Sequence, residues 1–369
     1  MGKRELLIIV AFVAIGAVAF ELTAPPAPEG RSFSLSRWFQ NARRGMRGNQ
    51  AIASSTQTGE IELNAGVSEL RVSGLNRGVR IVGDDRKNIA WELHVESNGP
   101  DDATALAWSK KAKLKLDDLG SSLAVSVSFP SEGTQWGALI LKVPAKLALK
   151  ISGGSGGADV AEVASVDFDR VSGGITIKDI SGAATGTQTT GELTIDGAAA
   201  VDMTLTNTRA KITDVRKSVV LNARNGRCEI ADVAGSVEID QSNQETTVEA
   251  PGGPIRVTGT GGRVTIQHPQ KEVKVDCRRA EVEVTIDESV PMTLLTSDET
   301  LRLTLDGMPA INLDAVATEG GSIRAEDFDL PIKNVEGEQR CSKVFGDAGS
   351  PPRVTLRAVR GSIVIRKAK

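Results

Sequence analysis

Four carboxylates crowd one short stretch of this 369-residue chain, Glu281, Glu283, Asp287 and Glu288, and a second pair, Asp327 and Asp329, flanks Phe328. Paired carboxylates are what polysaccharide hydrolysis or lysis requires, one as acid and the other as base or nucleophile. A sugar-cleaving face also needs aromatic subsites, and none accompany these acids; strand faces turned to water carry acids routinely. The two histidines, His94 and His268, have no second ligand at metal-binding spacing, and a metal site needs three or four converging ligands. With so few histidines, no Ser-His-Asp arrangement rises above chance. The run Gly153-Gly154-Ser155-Gly156-Gly157 invites a phosphate-loop reading, but neither a Lys-Ser or Lys-Thr pair nor a helical pattern follows it. It nearly matches a calcium-binding nonapeptide too, except that Ala158 stands where the acid belongs, Asp159 comes one residue late, and no tandem copy exists. A flexible corner accounts for it better. No catalytic residue, cofactor or metal is expected, and the chain does not read as an enzyme.

The cysteines are Cys228, Cys277 and Cys341, so at most one intramolecular disulfide can form. Cys228 falls on an inward repeat position and reads as a small core residue. A Cys277–Cys341 disulfide is one expectation; a free or intermolecular Cys341 in the mixed loop 336–352 is the other.

The elements that would position any of these groups form a repeat. From about residue 175 the chain returns to apolar-polar-apolar triplets: Ile175-Thr-Ile177, Leu193-Thr-Ile195, Met203-Thr-Leu205, Cys228-Glu-Ile230, Val237-Glu-Ile239, Ile255-Arg-Val257, Val264-Thr-Ile266, Val273-Lys-Val275 and Val282-Glu-Val284. From 228 to 282 the triplets start at multiples of nine residues, with Thr247-Val248 in the one missing step. Alternation at period two marks strands with one buried face, and turns of about four residues restore the register. So regular a step indicates stacked units that bury their faces on one another. Two strands per coil give about 18 residues per rung and, at about 4.8 Å per rung, at most about twelve rungs over 151–369. An antiparallel meander would show the same nine-residue period. The expected fold is all-β, a single-stranded parallel β-solenoid with an N-terminal β-rich cap over 53–150 and an N-terminal hydrophobic helix. Asp101-Asp102 followed by 103–111 predicts a short helix inside the cap. Arg366 to Lys369 are expected to place charge on the last edge.

Composition agrees with this architecture. There are 38 Gly, 8 Phe, 4 Trp and no Tyr. Glycine suits tight corners, and a thin coil filled by Ile and Val has little room for rings. Few stacking faces also weigh against sugar platforms and single-stranded nucleic-acid grooves. The net charge of −3 conceals a division: residues 31–50 carry five Arg and no acid, 353–369 carry six Lys or Arg and no acid, and 51–352 hold 31 basic and 44 acidic side chains. An acidic body thus lies between basic ends, which are expected to meet anionic surfaces.

The N-terminus reads as an export segment, Met1 to Arg4 as a basic start and Leu6 to Phe20 as an uncharged run. Ala17-Val18-Ala19 fits a cleavage site, whereas counting to Leu22 reaches the lower limit of a spanning helix, so residues 1–24 are either a signal peptide or an anchor. The flanking charges place the body outside the cytoplasm. Residues 25–52 follow as a Pro-rich spacer and a basic segment in which Leu35, Trp38, Phe39, Ala42 and Met46 share a helical face. Arg37, Trp38, Phe39, Arg43, Arg44 and Arg47 are the candidate membrane-surface contacts, against the plainer reading of a linker.

Leu149-Lys-Ile151-Ser-Gly-Gly, Val171-Ser-Gly-Gly-Ile175-Thr-Ile177, Gly191-Glu-Leu-Thr-Ile195 and the closing Gly361-Ser-Ile363-Val-Ile365 resemble the bacterial putative-adhesin β-strand-repeat family, also called toastrack, over roughly 55–369. The resemblance implies an extracytoplasmic stacked-strand fold, often membrane-tethered, accompanying envelope-stress membrane proteins in some members, and brings no catalytic or cofactor-binding residues. The expected function is a non-catalytic, exported cell-envelope protein, adhesin-like or scaffolding, or an accessory to envelope-stress sensing. Its partners would be the membrane through the N-terminal segment and envelope proteins or anionic envelope polymers, not nucleic acid. A polysaccharide-active parallel β-helix enzyme and a self-assembling filament module are the alternatives.

Overall fold

Alternating apolar residues become strands here because each strand closes its backbone hydrogen bonds on the strand one rung away and turns every second side chain inward. The computed structural model describes residues 51–369 apart from 75, 328, 347, 348 and 369. The export segment and the six candidate membrane-contact residues from Arg37 to Arg47 lie outside the described residues. Among the described residues no helix is long and apolar enough to cross a membrane.

Two ladders of parallel pairs run through the molecule. In one, Val201 pairs with Val219, Val219 with Val237, Val237 with Ile255 and Ile255 with Val273. In the other, Ala210 pairs with Cys228, Cys228 with Thr246, Thr246 with Val264 and Val264 with Val282. Parallel pairing at eighteen-residue offsets makes this a solenoid and removes the meander. Inward side chains stack into continuous columns, with Ile177, Ile195, Ile212, Val257 and Ile266 all at most 1% exposed. The step supplied by Thr247-Val248 in the sequence is occupied inside by Thr246 and Val248, both fully buried. The Thr246 hydroxyl donates to Gln241 Oε1 at 2.7 Å, and Gln244 Nε2 contacts Cys228 Sγ at 3.2 Å. Gly259 and Gly262 lie beside the two glutamines in the next rung and leave them room.

Each rung turns two corners, and at both the chain passes through left-handed backbone. Asn207, Asn225 and Asn243 stack at one corner with φ of 48°, 54° and 50°, and Asp214 and Asp232 at the other with φ of 52° and 54°. Asn and Asp tolerate this region because their short polar side chains bond locally to the backbone.

The order of the stack departs from the order of the chain at both ends. Strand Glu69–Ser73 lies between Ser122–Ser128 and Ala148–Ser152, and Val79–Asp84 between Gln135–Pro144 and Ala158–Ala161, so parallel stacking begins ahead of residue 151. Beyond these, Lys113–Asp118 and Asn88–Gly99 add antiparallel strands, and the helix Asp102–Ser109 forms where expected, with Asp101 capping Thr104 N. At the other end Arg353–Val359 is inserted between Met292–Ser297 and Ile311–Thr318, and Ser362–Lys367 between Thr300–Leu305 and Ser322–Ala325. The basic C-terminus is therefore an interior rung, which corrects its reading as the last edge. The true last rung is blocked by the hairpin Lys333–Val335 and Glu338–Phe345, from which Gln339 Oε1 accepts a hydrogen bond from Ile323 N at 2.7 Å.

Candidate functional surface

The carboxylates singled out by their spacing are brought together, but with arginines between them. Glu281 meets Arg263 at 2.6 Å and Arg302 at 3.2 Å; Glu283 meets Arg302 at 3.5 Å and Arg366 at 2.9 Å. Arg263, Glu281, Arg302, Glu283 and Arg366 thus form one alternating chain across the outer face of the second ladder. Each carboxylate is bracketed by guanidinium groups, so its oxygens are taken up by ion pairs and not open to a substrate. Asp287 lies 3.3 Å from His268, and the other histidine, His94, shares a 3.0 Å hydrogen bond with Thr56. Among the described residues no group of three or more His, Cys, Asp or Glu converges as a metal site would.

Depressions on the surface are shallow. One of about 440 Å³ lies beside Gly59, Trp91 and Lys142, with the Trp91 indole so close to Gly59 that an added Cβ would come within 2.7 Å of the ring. Its carboxylate Glu60 is held by Arg86 at 3.6 Å and Asn88 at 3.1 Å. Glu92 is a second carboxylate in its lining, and the one half-buried ring of Trp91 is too little for a stacked sugar platform.

The arginines of the C-terminal segment are committed internally. Arg353 and Arg357 both reach Asp314 Oδ2, at 2.6 and 2.9 Å, and Arg360 joins Asp298 at 2.6 Å to Glu319 at 2.8 Å. They pin the inserted rung to both neighbours and are not a free basic tail. Hydrogen bonds from Arg360 and Arg357 hold the carboxyls of Asp298 and Asp314 below their ordinary range. A folded-state value below the unfolded one stabilises fully above the unfolded pKa, about 3.9, and the benefit is lost as pH falls through the folded value. Amide-exchange protection at Arg353–Lys367 is therefore expected to fall below about pH 4 before that of the central rungs, and Asp298→Asn with Asp314→Asn should abolish this early loss.

The three cysteines are buried free thiols. The expected Cys277–Cys341 disulfide is absent for a geometric reason. Cys277 pairs along its ladder through Thr296, Ala358 and Ala317 toward the hairpin that carries Cys341. Four strand spacings of about 4.8 Å separate them, far beyond the ~7 Å Cα limit of a disulfide. Burial pushes the Cys228 and Cys277 thiols up to about 12 and raises Cys341 as well. None of the three is expected to react with a thiol-specific reagent at pH 8 until urea is added, as a timed colorimetric titration would show.

Sequence reasoning missed a gathering of arginines at one of the two corners. The Asn207–Asn225–Asn243 corner gathers exposed Arg209, Arg224, Arg227, Arg263, Arg278 and Arg279; the opposite corner carries exposed Asp179, Asp214, Asp232, Asp287 and Glu288 together with Arg216, Lys217 and Lys271. The only signal in the chain is an eighteen-residue phase in the charges, masked because acids and bases alternate along each strand.

No family model matches the chain, and no curated protein matches its sequence. Among solved structures it is similar to "a putative cell adhesion protein" from Clostridium sporogenes, at 12% identity over 86% of this chain and 100% of that one, with a TM-score of 0.21. It is similar also to "a putative adhesin" from Bacteroides fragilis, at 9% identity over 85% and 97% and a TM-score of 0.25. A third likeness is to a "putative lipid binding protein" from Parabacteroides distasonis, at 14% identity over 85% and 97% and a TM-score of 0.23. With all three TM-scores below 0.5, the fold rests on the hydrogen-bond ladders of the chain itself.

Proposed function

We propose that this chain is a non-catalytic, exported protein of the cell envelope, tethered through its N-terminal segment, that acts by presenting the faces and corners of a rigid solenoid in an adhesin-like or scaffolding role. The observation that carries this reading is the commitment of Glu281 and Glu283 to Arg263, Arg302 and Arg366 on an open, flat face. Such a surface suits contact and not turnover. The filament alternative is disfavoured by the C-terminal hairpin and Gln339, which occupy the edge that end-to-end stacking would use.

The test is made on the full chain in a bacterial host. Protease added to intact spheroplasts should degrade the body, and alkaline carbonate should leave the protein with the membrane. A body protected until lysis would overturn export, and release of reducing ends from any envelope polysaccharide by the purified chain would overturn the non-catalytic reading.

A further inference from the structure

The Asn-lined corner is the part of this surface with a specific chemistry. Its outward positions form columns that follow the rod. One runs Thr206, Arg224, Ser242, Thr260, Arg278 in successive rungs, and a second runs Arg209, Arg227, Glu245, Arg263. Between them stand Asn207, Asn225, Asn243, Gly261 and Arg279, all in left-handed backbone that turns the corner outward. The strip spans five rungs, about 19 Å at strand spacing.

One feature goes beyond what folding requires. Of the strip's arginines, Arg209 is held by Glu192 at 3.7 Å, Arg227 by Glu229 at 3.0 Å and Glu245 at 3.8 Å, and Arg263 by Glu281 at 2.6 Å. Arg224 and Arg278 are exposed and make no side-chain hydrogen bond or ion pair among the described residues, and exposed Arg279 acts by its charge on Asp298 in the next rung, whereas Arg302, Arg357 and Arg360 elsewhere are each bound to acids. Unpaired cations on a body that carries 31 basic and 44 acidic side chains over 51–352 form a local field of opposite sign to the rest.

We infer that this corner binds a linear anionic polysaccharide, its carboxylate or phosphate groups meeting the arginines and its hydroxyls meeting Ser242, Thr260 and the asparagine amides. The inference rests on the reading of the rod as a surface protein of the envelope and gives that reading a ligand class and a site. The shape decides in favour of a chain. The strip is a narrow convex line, and a flat bilayer reaching it would also press exposed Asp240 and Asp276 on one flank and Glu229 on the other against anionic headgroups. Nucleic acid would find no ring to stack on in the strip.

The probe is polygalacturonate, with neutral dextran, phosphatidylglycerol vesicles and single-stranded DNA as the other arms, titrated against the full chain held in nanodiscs of zwitterionic lipid at several salt concentrations. Polygalacturonate should bind and dextran should not. The variant R224Q/R278Q/R279Q should weaken binding at least ten-fold and flatten its salt dependence, while K146Q/K217Q/K271Q, the same charge removed away from the strip, should stay within two-fold. R224Q/R278Q, which spares the left-handed position 279, should give an intermediate loss with an unchanged melting temperature. Equal losses in both triple variants, no loss in either, no binding of polygalacturonate, or tighter binding of vesicles or DNA would each overturn the assignment. None of these results depends on where the protein resides, so failure here leaves the export test standing on its own.

Discussion

Gly235→Ala is expected to destabilise the central rungs by about 3 kcal/mol or more, at the upper end of what overpacking costs. A Cβ at this corner would lie 1.7 Å from the Lys217 carbonyl oxygen of the preceding rung, and Gly253 of the following rung already approaches Gly235 so closely that its own Cβ would meet the Gly235 carbonyl at 2.4 Å. Backbone therefore presses on backbone from both sides, and no flexible side chain can yield. Relief requires the corner to open, which disturbs the flanking pairs Val219–Val237 and Val237–Ile255. Gly174→Ala is the control: nothing lies within 4 Å of its added Cβ, and its effect should stay within about 0.5 kcal/mol. Urea unfolding followed by amide exchange resolves the difference rung by rung, which suits an array whose stability sums over neighbours. Equal midpoints for the two variants would show that the corners are looser than their stacking implies.

The second large effect concerns the inserted rung. A chain ending at Pro352 should lose order in rungs on both sides of the gap, because Arg353–Val359 and Ser362–Lys367 each pair with two neighbours. The segment buries Val354, Leu356, Ala358, Ile363 and Ile365, all at most 1% exposed. Four large apolar side chains at about 1.5–3 kcal/mol each approach the whole stability of an ordinary domain. The truncated protein should expose Ile311–Ala325 and Met292–Leu305 to amide exchange, and it should aggregate through the two bared parallel edges. Had the C-terminus been the last rung, only one neighbour would be affected. Protection loss confined to a single flank would contradict the inserted topology.

Much of the interior was legible in the sequence. Cys228 at an inward position, the register from Val237 to Val284 and the Asp101-capped helix all follow from period-two alternation and capping chemistry, which are local. The partners were not legible. Glu283 meets Arg366 across 83 residues, and Asp314 meets Arg357 across 43. Nor did Gln241 and Gln244 read as core residues, since only the glycines one rung away make room for them.

The sequence by itself determined an all-β, ring-poor chain with a nine-residue strand step, and the parallel ladders then made of it stacked eighteen-residue coils. Each coil has an apolar face that only another coil can cover. The tertiary structure alone decided which coil covers which, and so where every arginine finds its acid. The physical reason is that all rungs share one inward pattern, so the hydrophobic effect ranks neighbours almost equally and periodicity cannot order them. Order comes from closure of the long excursion 306–352, from the hairpin that blocks the end, and from charges that fit only when the final segment slides between two earlier rungs.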